Sequence, residues 1–155
     1  MTEVMAEALA EVRVTHARLQ LAELDALRSL RRASSLGVSQ TRLAGVLKVS
    51  QPAVSGMLAK QVEVAALYPE GRHGSSPYEV AERYAAGQIT RDQLVAELGS
   101  WDYVPQDRAR GLDDDVLVYR QGSFDEVERA ADDGLIDDEA YDAIIEASEG
   151  ARSGS

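Results

Sequence analysis

The residues that could do catalytic chemistry are few in this 155-residue sequence and are not grouped. His16 and His73 lie far apart, the first in a helix-forming stretch and the second in a Gly- and Ser-rich one. No HExxH, glycine-rich phosphate loop or Gly-x-Ser-x-Gly is present. Asp113, Asp114 and Asp115 lack the alternating spacing and terminal Glu of a calcium loop, which makes them a solvated acidic loop. There is no Cys, so disulfides and thiolate zinc sites are excluded. The expectation is a protein that is not an enzyme and uses no cofactor or metal. Groups suited to recognition are instead concentrated in residues 40–60. There the amides of Gln40 and Gln51, the hydroxyls of Thr41, Ser50 and Ser55, and the cations Arg42, Lys48 and Lys60 are interleaved with small and apolar residues.

The spacing within that run predicts two short helices with a tight turn between them. Leu43, Ala44 and Leu47 share one face of the first helix, Val54, Met57 and Leu58 share one face of the second, and Val49 is expected to fill the corner. Ala44 is small where the helices should cross most closely, since a bulky side chain would push the axes apart. Ser39 is placed to cap the first helix and Ser50 the second. Pro52 falls in the second helix's first turn, where a missing N–H costs nothing.

The run resembles the helix-turn-helix of the Xre/Cro repressor family, which often reads Leu-Ala-x-x-Leu-Gly-Val-Ser-Gln-x-x-Val-Ser. Leu43, Ala44, Leu47, Val49, Ser50, Gln51, Val54 and Ser55 match it. Lys48 departs from it, because the family commonly has Gly at the turn; a non-Gly residue must then adopt positive φ at modest cost. The resemblance implies that the second helix enters the major groove of duplex DNA with its N-terminal residues facing base edges. The Gln51 amide is then the expected reader, able to pair bidentately with adenine. Ser50, Ala53, Ser55 and Gly56 are small enough to let the helix approach or to touch thymine methyls, and Pro52 lies among them. Arg42, Lys48 and Lys60 are expected on phosphates, with Gln40 and Thr41 as backbone donors at the first helix's start. Arg28, Arg31 and Arg32 either join them or pair with Glu23, Asp25 or the acidic second half.

A net charge of −11 conflicts with phosphate binding until it is divided along the chain. Residues 1–64 carry eight basic against six acidic residues, for +2; residues 65–155 carry eight against twenty-one, for −13. A phosphate-binding surface needs local positive potential, so the first part can bind DNA that repels the second. The acidic half serves either for solubility or for a basic partner. No apolar stretch approaches a membrane span, and Thr2, Glu3 and Val4 open the chain without a basic run, so no membrane association is expected and the cytoplasm is the expected location.

Apolar residues make up 45% of the sequence and aromatics 5%, the apolar part being mostly Ala, Leu and Val, which points to an all-α protein. The expected division is a long leading helix and helix-turn-helix in residues 1–67, a linker in 68–76, an acidic domain of two helical hairpins in 77–150 and a tail in 151–155. Met5, Leu9, Val12, Leu19, Leu24, Leu27 and Leu30 recur at helical spacing, which gives one long helix or two nearly continuous ones, and Gly37 suits the helix end that follows. The first turns of that helix have no role inside a compact helix-turn-helix. Their stripe of Val4, Met5, Ala8, Leu9 and Val12 is expected to pair with a second chain or to pack back on its own.

The second half repeats at an offset of about 47 residues. Ser76 with Glu79 and Ser123 with Glu126 are expected to form capping boxes that each start a helix, the helices then end near Gly87 and Gly134, and Thr90 and Asp137 cap the next ones. Between the copies, Val116, Leu117, Val118 and Tyr119 could make a short strand.

The expected function is a sequence-specific DNA-binding repressor acting as a homodimer. Its acidic half would neutralise a basic toxin protein, as in toxin-antitoxin antitoxins, many of which resemble Xre/Cro regulators. Trp101, Tyr103, Asp113, Asp114, Asp115, Glu126 and Tyr141 are assigned to that partner. A repressor without a toxin, and a helical adaptor that does not bind DNA, stand as alternatives.

Overall fold

Residues 1–59, 71–105 and 122–153 are described by a computed structural model. Among them there are seven α-helices and no strand. Residues 3–35 contain neither Gly nor Pro and are rich in strong helix formers, and they make one uninterrupted helix, α1 (Glu3–Ser35). Thr2 caps its start, its hydroxyl accepting from the Met5 amide at 3.2 Å. Its end is closed at Gly37 (φ 91°), where the Gly37 amide donates to Ser34 and the Val38 amide donates to Ala33. No helix among the described residues is long and apolar enough to cross a membrane.

By internal contacts the chain forms two units, one of Arg18–Ala66 and one of Met1–Ala17 with Leu67–Ser155. In the first, α2 (Gln40–Leu47) packs against α3 (Gln51–Ala59). Leu30, Leu43, Ala44 and Val54 form its core, with Ala33, Val38, Met57 and Leu58 partly buried around them. The pattern of residues 40–60 misplaces two side chains. Leu47 is 45% exposed and Val49 38% exposed, because the core is completed from the end of α1 and from Val38 rather than from the corner between α2 and α3.

The second unit contains α4 (Pro77–Ala85), α5 (Arg91–Gly99), α6 (Asp125–Asp132) and α7 (Asp138–Ser153). The offset of 47 residues is visible in its geometry. Gly87 and Gly134 both have φ 77°, and each stands in the same pair of closing bonds: Gln88 N to Arg83 O and Leu135 N to Ala130 O are both 2.9 Å. Only glycine adopts that conformation without a steric cost, so each closes one helix and frees the chain to begin the next. Thr90 and Gln93 form a full capping box on α5, and Asp137 accepts the Ala140 amide at 2.7 Å on α7. Equivalent helices pair, α4 with α6 and α5 with α7. Val80 and Val127 are fully buried and meet Leu94, Leu98, Ala140 and Ile144 in one shared core. Across the two copies the Tyr78 hydroxyl donates to Asp133 at 2.6 Å, and the Arg129 guanidinium lies 3.9 Å over the Tyr78 ring. Burial, followed by the Asp133 bond, pushes the Tyr78 pKa up to about 12.

The two copies differ at their openings. Ser76 caps α4, but the Glu79 carboxylate turns to Arg83 at 3.1 Å and to the Ser75 hydroxyl at 3.0 Å instead of closing a capping box. At α6 the N-cap is Phe124 in a helical conformation, with no side-chain cap, and Ser123 is buried. The cause is aromatic packing: Phe124 meets Tyr103 edge to face at 5.2 Å and Tyr141 at 6.2 Å, which draws it into the first turn. Residues 71–76, expected in an open linker, are tied down. His73 presents its backbone amide (2.7 Å) and Nδ1 (2.8 Å) to the Glu97 carboxylate, and Gly74 is buried against Val80. Residues 68–70 and 116–119 lie outside the described residues.

Leu94→Ala is expected to destabilise the protein by about 2–5 kcal/mol, since it empties a fully buried site in the shared core, whereas Val46→Ala, at an exposed helical position, should stay within about 0.5 kcal/mol. Urea unfolding midpoints measure both.

Candidate nucleic-acid interface

The sequence from 39 to 59 folds locally for identifiable reasons. Ser39 is extended (φ −68°, ψ 152°), and its hydroxyl accepts from the Arg42 amide at 3.2 Å. Lys48 ends α2 in the left-handed conformation (φ 56°, ψ 43°), the only positive φ of a non-Gly residue among those described. The Ala44 carbonyl accepts from both the Lys48 and the Val49 amides, and this closes the turn. Ser50 then caps α3, accepting the Ala53 amide at 3.2 Å, and Pro52 sits in the first turn, where no donor is needed.

These contacts decide which side of α3 faces out. Val54 is fully buried, Ala53, Met57 and Leu58 are partly buried, and Gln51, Pro52, Ser55, Gly56 and Ala59 are exposed. The exposed five recur at one-turn intervals and so form a single face. It is smooth and uncharged, with the Gln51 amide as its one long polar side chain. A Cβ added at Gly56 would meet nothing within 4 Å among the described residues, so the absence of a side chain there serves no packing among them. Thr41 and Arg42 are exposed at the start of α2, Lys48 and Ser50 are exposed at the turn, and Gln40 is half-buried. Lys60 lies outside the described residues.

One electrostatic signal in the sequence is stronger than the whole-chain division. Residues 26–62 contain six basic residues, Arg28, Arg31, Arg32, Arg42, Lys48 and Lys60, and not one Asp or Glu. Among the described residues, two of these cations have structural contacts. Arg31 donates to the Leu58 carbonyl at 3.4 Å, near the C-terminal end of α3, and Arg28 stands 3.8 Å from the Asp25 carboxylate. Arg32 is exposed in the last turn of α1.

The residues assigned to a protein partner have internal contacts. Tyr103 is half-buried and donates its hydroxyl to the Leu98 carbonyl; Tyr141 is half-buried beside Phe124; the Arg72 guanidinium lies 4.2 Å over the Trp101 ring. Glu126 is buried, and its carboxylate accepts from the backbone amides of Gly122 and Tyr78 and from the Ser76 hydroxyl. Burial raises its pKa above the usual carboxylate value, against the lowering effect of those bonds. Asp113, Asp114 and Asp115 lie outside the described residues. Among the described residues no group of three or more His, Asp or Glu could hold a metal ion.

Two outcomes follow from this geometry. Lys48→Gly should stabilise the protein by about 0.5–1 kcal/mol, because the relief of left-handed strain exceeds the entropy that glycine adds to the unfolded chain; thermal or urea unfolding measures it. Glu126 has a folded pKa above its unfolded one, so its contribution is fully present below the unfolded pKa and is lost as pH rises through the folded value. Glu126→Gln should therefore gain most over the parent near pH 7 and lose that advantage as the pH falls into the range where the parent's carboxyl protonates. Paired urea titrations across pH 4–7 read the difference.

The chain matches no protein-family model, no curated protein and no solved structure.

Proposed function

We propose that the end of α1 together with α2 and α3 is a helix-turn-helix that binds duplex DNA in a sequence-specific way, and that the chain acts in the cytoplasm as a transcriptional repressor. The observation that carries this reading is the outward side of α3, small and uncharged around Gln51, set in 37 residues that contain six cations and no acid. A helix that enters a groove of base edges has to be narrow and must not carry negative charge, and its flanks have to attract phosphate. Gly56 and Ser55 supply the narrowness, and Arg42 and Lys48 the attraction. Gln51, in the first turn of α3, presents a donor and an acceptor side by side, the pattern that adenine N7 and N6 match. Ser39 satisfies the Arg42 amide, which leaves the Gln40 and Thr41 amides at the positive end of α2 as phosphate donors.

One such unit covers few base pairs, so the reading includes a homodimer on a pseudo-palindrome with half-sites about 34 Å apart. The acidic unit is read as the seat of a basic protein partner, the arrangement of an antitoxin that represses its own operon and neutralises its toxin. Asp138, Asp142, Glu146 and Glu149 support this, because they are all exposed and recur along one side of α7.

Binding to duplexes selected from a random pool, and to the DNA upstream of the protein's own gene, tests the reading by gel shift. Gln51→Ala should relax preference at one base position, with a loss of about 1–3 kcal/mol for the preferred base. Arg42→Ala should weaken every duplex alike and reduce the salt slope by about one. If the parent protein retains no duplex over competitor DNA, the repressor reading is wrong and a helical adaptor replaces it. Co-purification with the product of the adjacent gene separates an antitoxin from a repressor that works alone.

A further inference from the structure

α1 leaves a row of large apolar side chains in water. Val4, Met5, Leu9, Val12 and Leu19 are between 53% and 73% exposed, while Ala17 and Leu21 on another side of the same helix are buried. A single exposed leucine calls for no explanation, but a contiguous apolar row does. At one residue per 100°, the five fall within an arc of about 140°. Their order is more specific than an amphipathic pattern. Met5, Val12 and Leu19 are seven residues apart, and Ala8, Thr15 and Ala22 each follow by three, which gives the a and d positions of three successive heptads. A large residue at a and a small one at d let two helix axes come close. Beyond Leu19 the seam positions hold only Ala22, Ala26 and Ser29, so the row is confined to about the first half of the helix.

We infer that a second copy of this chain covers the row, α1 against α1, in a parallel and in-register coiled coil. The flanking residues select both the partner and the direction. With Met5, Val12 and Leu19 at a, the g positions are Val4, Glu11 and Arg18, and the e positions are Leu9, His16 and Glu23. In a parallel dimer each g residue faces the e residue five further along in the other copy. Val4 then meets Leu9, Glu11 meets His16, and Arg18 meets Glu23, each contact being made twice by the two-fold symmetry. An antiparallel pair centred on Val12 instead brings Glu11 against Glu11 and leaves Arg18 beside Val4. The self-complementary order of these positions is the reason for choosing a second copy over a foreign helix. The inference deepens the dimer of the preceding reading and rests on its second copy, but it is tested on free protein, so a failed seam and failed DNA binding are distinguishable.

Because the chain has no cysteine of its own, single cysteines report the register. Met5→Cys should form a disulfide-linked dimer under mild oxidation, and Ala10→Cys, on a different side of α1, should not. Val12→Asp should convert a particle of twice 16.8 kDa in sedimentation equilibrium to one of 16.8 kDa without loss of helical circular dichroism, since Val12 is exposed within its own chain. Arg18→Glu should weaken the dimer about tenfold, and adding Glu23→Arg should restore it. The proposal is overturned if the parent protein is monomeric, if Val12→Asp remains a dimer, or if Val12→Cys cross-links and Met5→Cys does not; the last result would mean an antiparallel seam.

Discussion

The first unit turns on Ala44. Its methyl group is buried where α2 meets α3, and its carbonyl accepts the two amides, of Lys48 and Val49, that end α2 and redirect the chain. A larger side chain would separate the helices, and a turn without those two bonds would leave buried polar groups or a longer loop. Because this one residue sets both the spacing and the direction of α3, it also decides that Val54 points inward and that Gln51, Ser55 and Gly56 point outward. Leu30 and the Arg31 contact to the Leu58 carbonyl then fasten α3 to the end of α1. Each of these links is local in sequence except the last.

Charge gives the two units different surroundings. The stretch of residues 26–62 holds six cations and no acid of its own, with Asp25 beside Arg28 at its edge; an excess of local positive charge is what phosphate binding would require. In the other unit many acidic groups remain in water on α6 and α7, but some are internal. Glu79 is buried and paired with Arg83, and buried Glu126 binds backbone amides at the junction of the two copies. A buried carboxylate is tolerated only when its oxygens are matched, and both are. The acidity of the sequence therefore overstates the acidity of the surface at these positions.

Much of this was legible in the sequence where the determining residues are close together. A stretch without Gly or Pro gave α1; the caps Ser39, Ser50, Thr90 and Asp137 act over three residues and hold as read; Lys48, at a position where glycine is usual, does adopt positive φ. What was not legible depends on partners distant in sequence. Val49 and Leu47 fit the apolar pattern, but their exposure is set by how the end of α1 and Val38 fill the core. Ser123 and Glu126 have the spacing of a capping box, and the packing of Phe124 edge to face on Tyr103 and tilted against Tyr141 overrides it. The Gly- and Ser-rich residues 71–76 have the composition of a linker, but the Glu97 carboxylate receives His73 from two directions. Trp101 and Tyr103, assigned to a partner from the sequence, also have contacts within the unit, with Arg72 and with Phe124, that the sequence did not show. The missing acids of residues 26–62 are the signal that composition by halves obscured.

The central claim is that the outward side of α3 lies against base edges. Amide chemical shifts of the isotope-labelled full chain, followed as a selected duplex is added, test it most directly. The account predicts that the amides of Gln51, Ser55 and Gly56, with Thr41, Arg42 and Lys48 beside them, move together at saturable duplex concentration while the amides of α5 and α7 stay in place. Saturable shifts confined to α4 through α7, or no shift in α3 at any duplex concentration, would contradict it.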